Sequence, residues 1–141
     1  MKIDARAYCF SMNIKVRDYE VDSQGIVNNA VYLHYFEHTR HEFCEHAGFS
    51  FRQMSEQGID PVVHKITVTY KASLGLGATA ISCLNLKRKG VKFIFYQDIY
   101  RASDGQLCAT GEIEIVSTVN GRATRGEEIA QAFAAYLHDD D

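Results

Sequence analysis

The sequence has no Cys-x-x-Cys pair, no excess of basic charge, no long apolar run and no glycine-rich nucleotide fingerprint. Each absence removes a class of function. Its four cysteines, Cys9, Cys44, Cys83 and Cys108, stand far apart, which argues against a zinc knuckle or redox motif and for reduced, mostly buried thiols. A net charge of −3 offers no broad positive field, so nucleic acid is not an expected partner. Any anionic ligand must be met by a local patch.

Met1 to Arg6 lack the apolar core of a secretory signal, and no apolar run approaches membrane-spanning length. No membrane association is expected, and the cytoplasm is the expected location. No Gly-x-Gly-x-x-Gly or phosphate-loop element follows a strand, and Gly75-Leu76-Gly77 reads as a loop between strands. A serine nucleophile lacks its elbow motif, and Ser11, Ser73 and Ser82 have no evident base partner. With no repeat or linker in 141 residues, 46% of them apolar, one domain over residues 1–141 is expected.

What is present is a change of hydrophobic period. Met12, Ile14 and Val16 alternate with polar residues, predicting a strand over Ser11 to Arg17, followed by a polar loop from Asp18 to Gly25. From Asn28 to Ala47 the step becomes three and four: Tyr32, Phe36, Arg40, Phe43 and Ala47 share one helical face. Asn28 or Asn29 is the candidate cap, and Gly48 the candidate stop.

A short helix over Phe51 to Gln57 comes next. Strands are then predicted at Val62 to Lys71, Thr79 to Lys89, Val91 to Ala102 and Leu107 to Val119, and a final helix at Glu127 to Leu137. Lys89-Gly90 and Asp104-Gly105 are hairpin turns, and Asn120-Gly121 closes the last strand. The expected class is α+β, with four adjacent antiparallel strands curved around one long helix.

His34, His38 and His41 fall on one helical stripe, but His41 and His46 are mis-spaced for a paired metal site, so a solvated face is expected and no metal. The loop before the long helix carries more chemistry. It brings the carboxylate of Asp22, the turn-permitting Gly25 and the amides of a helix start within eight residues. Those amides lack intrahelical acceptors and sit at the positive end of the helix dipole, so they can polarise a carbonyl while the carboxylate attacks it or activates water. The bland alternative is an acid acting as a helix cap or dipole partner.

The string Val16-Arg17-Asp18-Tyr19-Glu20-Val21-Asp22-Ser23-Gln24-Gly25-Ile26-Val27-Asn28-Asn29-Ala30-Val31-Tyr32-Leu33-His34-Tyr35-Phe36-Glu37 resembles the signature of the 4-hydroxybenzoyl-CoA thioesterase family. Through Arg40-His41-Glu42-Phe43 it looks most like the plant plastid acyl-acyl carrier protein thioesterases of single-hotdog type. The resemblance, over roughly residues 10 to 125, implies a hotdog fold and active sites at the interface of a homodimer, or of a homotetramer. It also implies hydrolysis of an acyl-CoA or acyl carrier protein thioester without a cofactor.

By the same resemblance Asp22 is the nucleophile or general base, and the Asn29 backbone N–H polarises the thioester carbonyl. Tyr19, Gly25, Asn28, Tyr32, Arg40 and His64 are candidates for substrate contact. Arg40 has a plainer reading as the partner of Glu37 or another carboxylate, and His64 as an ordinary strand residue. Lys87, Arg88 and Lys89, with Lys92, form a candidate patch for CoA phosphates or an acidic carrier protein, or else a solvated turn.

The chain departs from the family pattern where one bacterial branch has a histidine and this chain has Asn29. It departs again at Ser73 and Gly77-Ala78, which replace the usual proline and Gly-Asp pair. The last change bears on loop geometry more than on chemistry. Two rivals remain: a dehydratase or hydratase on the same fold, whose His/Asp placement is absent here, and a non-catalytic acyl-thioester binding protein.

Overall fold

A computed structural model describes residues 7–138; Met1 to Arg6, on which the reading of the N-terminus rests, lie outside the described residues. The chain forms β1 (Phe10–Lys15), a single 3-10 turn (Asp18–Glu20), α1 (Asn29–His46), α2 (Phe51–Glu56) and β2 (Ile59–Tyr70). There follow β3 (Thr79–Lys89), β4 (Lys92–Arg101), β5 (Leu107–Val119), β6 (Arg122–Ala123), α3 (Glu127–Ala132) and β7 (Leu137–His138).

The long helix begins where its cap dictates. The Asn28 side-chain oxygen accepts from the Ala30 N–H at 2.9 Å, satisfying one of the first-turn donors. It ends where Gly48, at φ +76°, lets the chain leave in the left-handed conformation and the Phe49 N–H return to the Cys44 carbonyl. Its buried face holds Tyr32, Tyr35, Phe36, Thr39, Arg40, Phe43 and Cys44. That face lies on the curled sheet against β1 and β3, where the Thr39 and Ser82 hydroxyls meet at 2.7 Å. Phe36 passes so close to β5 that a Cβ on Gly111 would stand 3.0 Å from its ring. Burying a phenylalanine such as Phe36 or Phe43 contributes about 1.5–3 kcal/mol.

The sheet order is β1-β3-β4-β5-β2, so β2 is not the neighbour of β3 that consecutive short turns would require. β3 already pairs on its two sides with β1 and β4, so the chain crosses the sheet over 71–78 and β2 adds to the free side of β5. This puts β2 at an edge, which is why it tolerates Pro61 within it and starts at Ile59 rather than after the proline. A register shift between Val63 and Lys65 leaves His64 at a bulge, exposed to solvent.

The last predicted helix stops early. α3 ends at Ala132, and a run of turns leads to β7, which pairs in parallel with Leu86 and Lys87 of β3. Stacking of Phe133 on Phe43 and Phe49, at centroid distances of 5.5 and 4.7 Å, competes with continuation of the helix.

Gly126, before α3, has φ +71°, and a Cβ there would lie 2.7 Å from the Phe93 ring. Gly126→Ala therefore combines a disfavoured backbone conformation with overpacking, and is expected to lower stability by about 2–3 kcal/mol. Thermal or urea unfolding of the variant checks this; an unchanged midpoint would contradict the packing described.

Candidate active site

Asp22 opens a tight turn that closes on itself. Val21 bridges to Val27, the Asp22 N–H donates to the Ile26 carbonyl at 2.9 Å, and the Gly25 N–H returns to the Asp22 carbonyl at 3.0 Å. Gly25 makes this possible at φ +78°, which a residue with a Cβ adopts at a cost. The Asp22 carboxylate is half-buried, and its Oδ1 accepts from the Gln24 N–H at 2.8 Å. It is not the cap of α1; Asn28 has that role, which leaves the second carboxylate oxygen outside the helix's own hydrogen bonding.

Two further bonds fix the turn against the helix start. The Asn28 N–H donates to the Glu20 carbonyl at 3.1 Å, and the Val27 N–H to the Leu74 carbonyl at 2.9 Å. Asn29 is the first residue of α1, and among the described residues no acceptor meets its N–H. A recess of about 250 Å³ opens there, lined by Ile26, Val27, Asn29, Tyr32, Tyr70 and Lys71, among others. Asp22 is not among the residues that line it; its backbone N–H is bonded to the carbonyl of Ile26, which is.

Beneath the loop lies a buried carboxylate. Glu20 Oε1 accepts from the Arg17 N–H and from the Tyr35 hydroxyl, both at 2.8 Å, while Oε2 faces the Arg17 guanidinium at 2.8 Å. Burial pushes the Glu20 carboxyl up, but the Arg17 side chain and backbone and the Tyr35 hydroxyl together outweigh it and hold it below the usual value. The same pairing, with burial first, raises Tyr35. Burial alone is the largest cause for Tyr32, pushed up to about 12.

Tyr70 and Lys71 were missed in the sequence because their role depends on pairing across the sheet. Tyr70 stands opposite Ala109 at the end of β2, and its hydroxyl donates to the Asn29 carbonyl at 2.9 Å. Its ring also meets Tyr32 edge-on at 5.4 Å. Glu20 was missed because a charged residue three after Arg17 looks like surface. Its burial follows only once Tyr35 covers it.

Arg40 is not paired with Glu37. It is 7% exposed, and its Nη1 donates to the side-chain oxygen of Gln97 at 3.0 Å, while the Gln97 amide donates to the Phe36 carbonyl at 3.0 Å. Burial pushes the guanidinium's pKa down, and the nearby charge of Glu37 opposes that. Arg40 opens on a cleft of about 460 Å³ between α1, α2 and β2, whose walls include Phe51, Val63, Phe95 and Ile115.

Other candidates lie elsewhere. Tyr19 is 74% exposed, with the Arg17 guanidinium 5.6 Å from its ring centroid. Lys87 lies 5.7 Å from the Tyr96 ring centroid; Arg88 bonds the Arg125 carbonyl and Glu127; Lys92 pairs with Glu114 at 3.1 Å. This basic hairpin is at the far end of β3 from the Asp22 turn, about 33 Å along the strand. His34, His38 and His41 are exposed, and among the described residues no group of three or more His, Cys, Asp or Glu is arranged for a metal. Among those residues no helix is long and apolar enough to cross a membrane.

The family model described as thioesterase-like superfamily matches residues 16–137. The chloroplastic acyl-acyl carrier protein thioesterase ATL2 of Arabidopsis thaliana is 37% identical over 95 residues, 64% of this chain and 48% of that protein. The chain thus spans about half the length of that plant relative. A putative acyl-CoA thioesterase of Bacillus subtilis, YneP, is 31% identical over 106 residues, 74% of this chain and 72% of that one. Among solved structures, the probable thioesterase YbaW from Escherichia coli superposes with a TM-score of 0.79 at 28% identity, covering 91% of this chain and 98% of that one.

Proposed function

The chain belongs to the thioesterase-like superfamily, and from that premise we propose that it hydrolyses an acyl-CoA or acyl carrier protein thioester to a free acid and a thiol. The observation that carries this is the pairing, in one loop, of the half-buried Asp22 carboxylate with the unaccepted N–H of Asn29 at the start of α1. The thioester carbonyl sits in the recess with its oxygen toward the Asn29 amide. Asp22 attacks the carbon or takes the proton from an attacking water. As the tetrahedral state forms, negative charge grows on the oxygen, and a fixed donor at the positive end of a helix stabilises that state more than the ground state.

Gly25 and Asn28 hold this geometry, Tyr32 forms a wall, and Lys71 supplies a cation at the mouth for the phosphate-bearing arm shared by CoA and carrier protein. No metal or organic cofactor enters the reaction, and a cytoplasmic setting accords with four free cysteines. A colorimetric thiol-release screen over aromatic and fatty acyl-CoAs and acyl carrier proteins tests the reading. No release with any donor would favour the non-catalytic binding protein.

The functional unit in this proposal is a homodimer at least, and a homotetramer if two dimers join. β2 is an edge strand with Val62, Val63 and Ile66 at 48%, 44% and 43% exposure, an apolar border that an isolated chain would leave open to pairing. Antiparallel pairing of β2 with its copy covers it. Val62→Lys with Val63→Lys is expected to shift the sedimenting species to one chain; a wild-type protein already sedimenting as one chain would overturn the oligomer.

A further inference from the structure

We infer that Tyr70 is a positioning residue for the proposed reaction: its hydroxyl spans the recess and holds Asn29, whose amide is assigned to the oxyanion, in place against the opposite wall. The inference rests on the thioester-hydrolase reading and deepens it.

The recess has two walls of different origin. Ile26, Val27, Asn29 and Tyr32 come from the Asp22 turn and the start of α1, whereas Tyr70 to Ser73 are the end of β2 and the beginning of the segment that crosses to β3. The second wall is anchored to the middle of the sheet. Tyr70 pairs with Ala109, and the Lys71 and Ala72 N–H groups both donate to the Cys108 carbonyl, at 2.8 and 3.2 Å. Cys108 and Ala109 are fully buried, so Tyr70 stands on a fixed base.

The first wall depends on where α1 begins. Its Asn28 cap and the bond from the Val27 N–H to the Leu74 carbonyl fix the path of the chain into the helix. α1 packs on β1 and β3, and its bonds to the sheet through Phe36, Thr39 and Arg40 lie about two turns or more further on. In the first turn, among the described residues, the side-chain bond from the sheet is that of the Tyr70 hydroxyl to the Asn29 carbonyl, at 2.9 Å. A carbonyl accepts two hydrogen bonds, so the tyrosine adds to the helical bond from the Leu33 N–H and does not compete with it.

Tyr70 acts by position and not as an acid, because its proton is engaged by the Asn29 carbonyl. It is 45% exposed, so water can replace the bond in stability though not in geometry. A misplacement of about 1 Å costs about a hundredfold in rate, so the loss falls on kcat. The ring meets Tyr32 edge-on at 5.4 Å, a contact that does not need the hydroxyl. Pairing of β2 with a second copy joins strand backbones and leaves this helix-facing side chain where it is.

Thiol release is measured on the intact protein with decanoyl-CoA, or with whichever donor of the screen turns over fastest. Tyr70→Phe is expected to lower kcat by about ten- to a hundredfold, with KM within about twofold of wild type and a melting midpoint within a few degrees of it. Tyr70→Leu, which also removes the ring, is expected to raise KM as well. An unchanged kcat, a loss confined to KM, or a loss matched by collapse of the Tyr70→Phe melt would overturn the assignment. Amide exchange gives a second readout that does not depend on turnover. The Leu33 N–H, bonded to the same carbonyl, is expected to exchange faster in Tyr70→Phe while amides in the last turns of α1 keep their rates; equal Leu33 rates would count against the inference. Absence of thiol release from every donor would sink the hydrolase reading instead, and Leu33 exchange would still report whether Tyr70 fixes the helix start.

Discussion

Asp22→Asn is expected to lower thiol release by about a thousandfold or more while leaving the fold and the oligomer intact. The two halves of that expectation have separate physical grounds. Asparagine keeps a side-chain oxygen where Asp22 Oδ1 accepts from the Gln24 N–H, so the turn that Gly25 closes retains its hydrogen bonds. What is removed is the negative charge that, in the proposed mechanism, attacks the thioester or accepts the proton of water in the transition state. That charge is not spent on capping α1, a task carried by Asn28. Steady-state kinetics with matched thermal melts and sedimentation separate the effects. Near-wild-type turnover would remove Asp22 from the mechanism, whereas lost turnover with a collapsed melt would make it a structural residue.

The parts of this molecule legible in the sequence are those fixed by local rules. The ends of β3 and β5 follow from the turn residues that flank them, Lys89-Gly90 after β3 and Asp104-Gly105 and Asn120-Gly121 around β5, and those of α1 from the Asn28 cap and the Gly48 stop. The turn at Asp22 was legible because a glycine, an acid and a helix start share eight residues. What was not legible depends on residues meeting across distance. The place of β2 beside β5 is decided by competition for the edges of β3, which no window of sequence contains. α3 is cut short by aromatic stacking with Phe43 and Phe49, partners more than eighty residues away.

Arg40 shows the same limit in the site. Helical spacing put it on the inward face with Tyr32, Phe36 and Phe43, but its plainer reading as the partner of a carboxylate gives way to Gln97 of β4, which the spacing could not supply. Tyr70 becomes a site residue only because the β2–β5 register carries it to the Asn29 carbonyl. Local pattern therefore located the Asp22 turn and the start of α1, and long-range pairing set what surrounds them.

Glu20→Ala is expected to cost about 2–4 kcal/mol, or roughly 10 °C in Tm, the largest stability loss for any single side chain of the loop. Glu20 is 6% exposed and accepts from the Arg17 N–H, the Arg17 guanidinium and the Tyr35 hydroxyl; its removal strands the Arg17 N–H and the buried Tyr35 hydroxyl, while the exposed guanidinium can turn to water. Its own carbonyl also holds the Asn28 N–H, one residue before the amide assigned to the oxyanion, so turnover should fall with stability. The pH dependence has a definite sign. The Glu20 carboxyl is lower in the folded chain than its ordinary value, so the unfolded chain binds the proton more tightly. Its stabilisation is fully present above the unfolded value of about 4.3 and disappears as pH falls through the lower folded value. Wild-type stability should therefore drop below about pH 4 by an increment that Glu20→Gln lacks, because glutamine cannot take up the proton. Denaturant melts of the two proteins between neutral and acid pH measure it: parallel curves, or a Glu20→Ala midpoint within a degree or two of wild type, would mean that the loop is anchored by something other than this carboxylate.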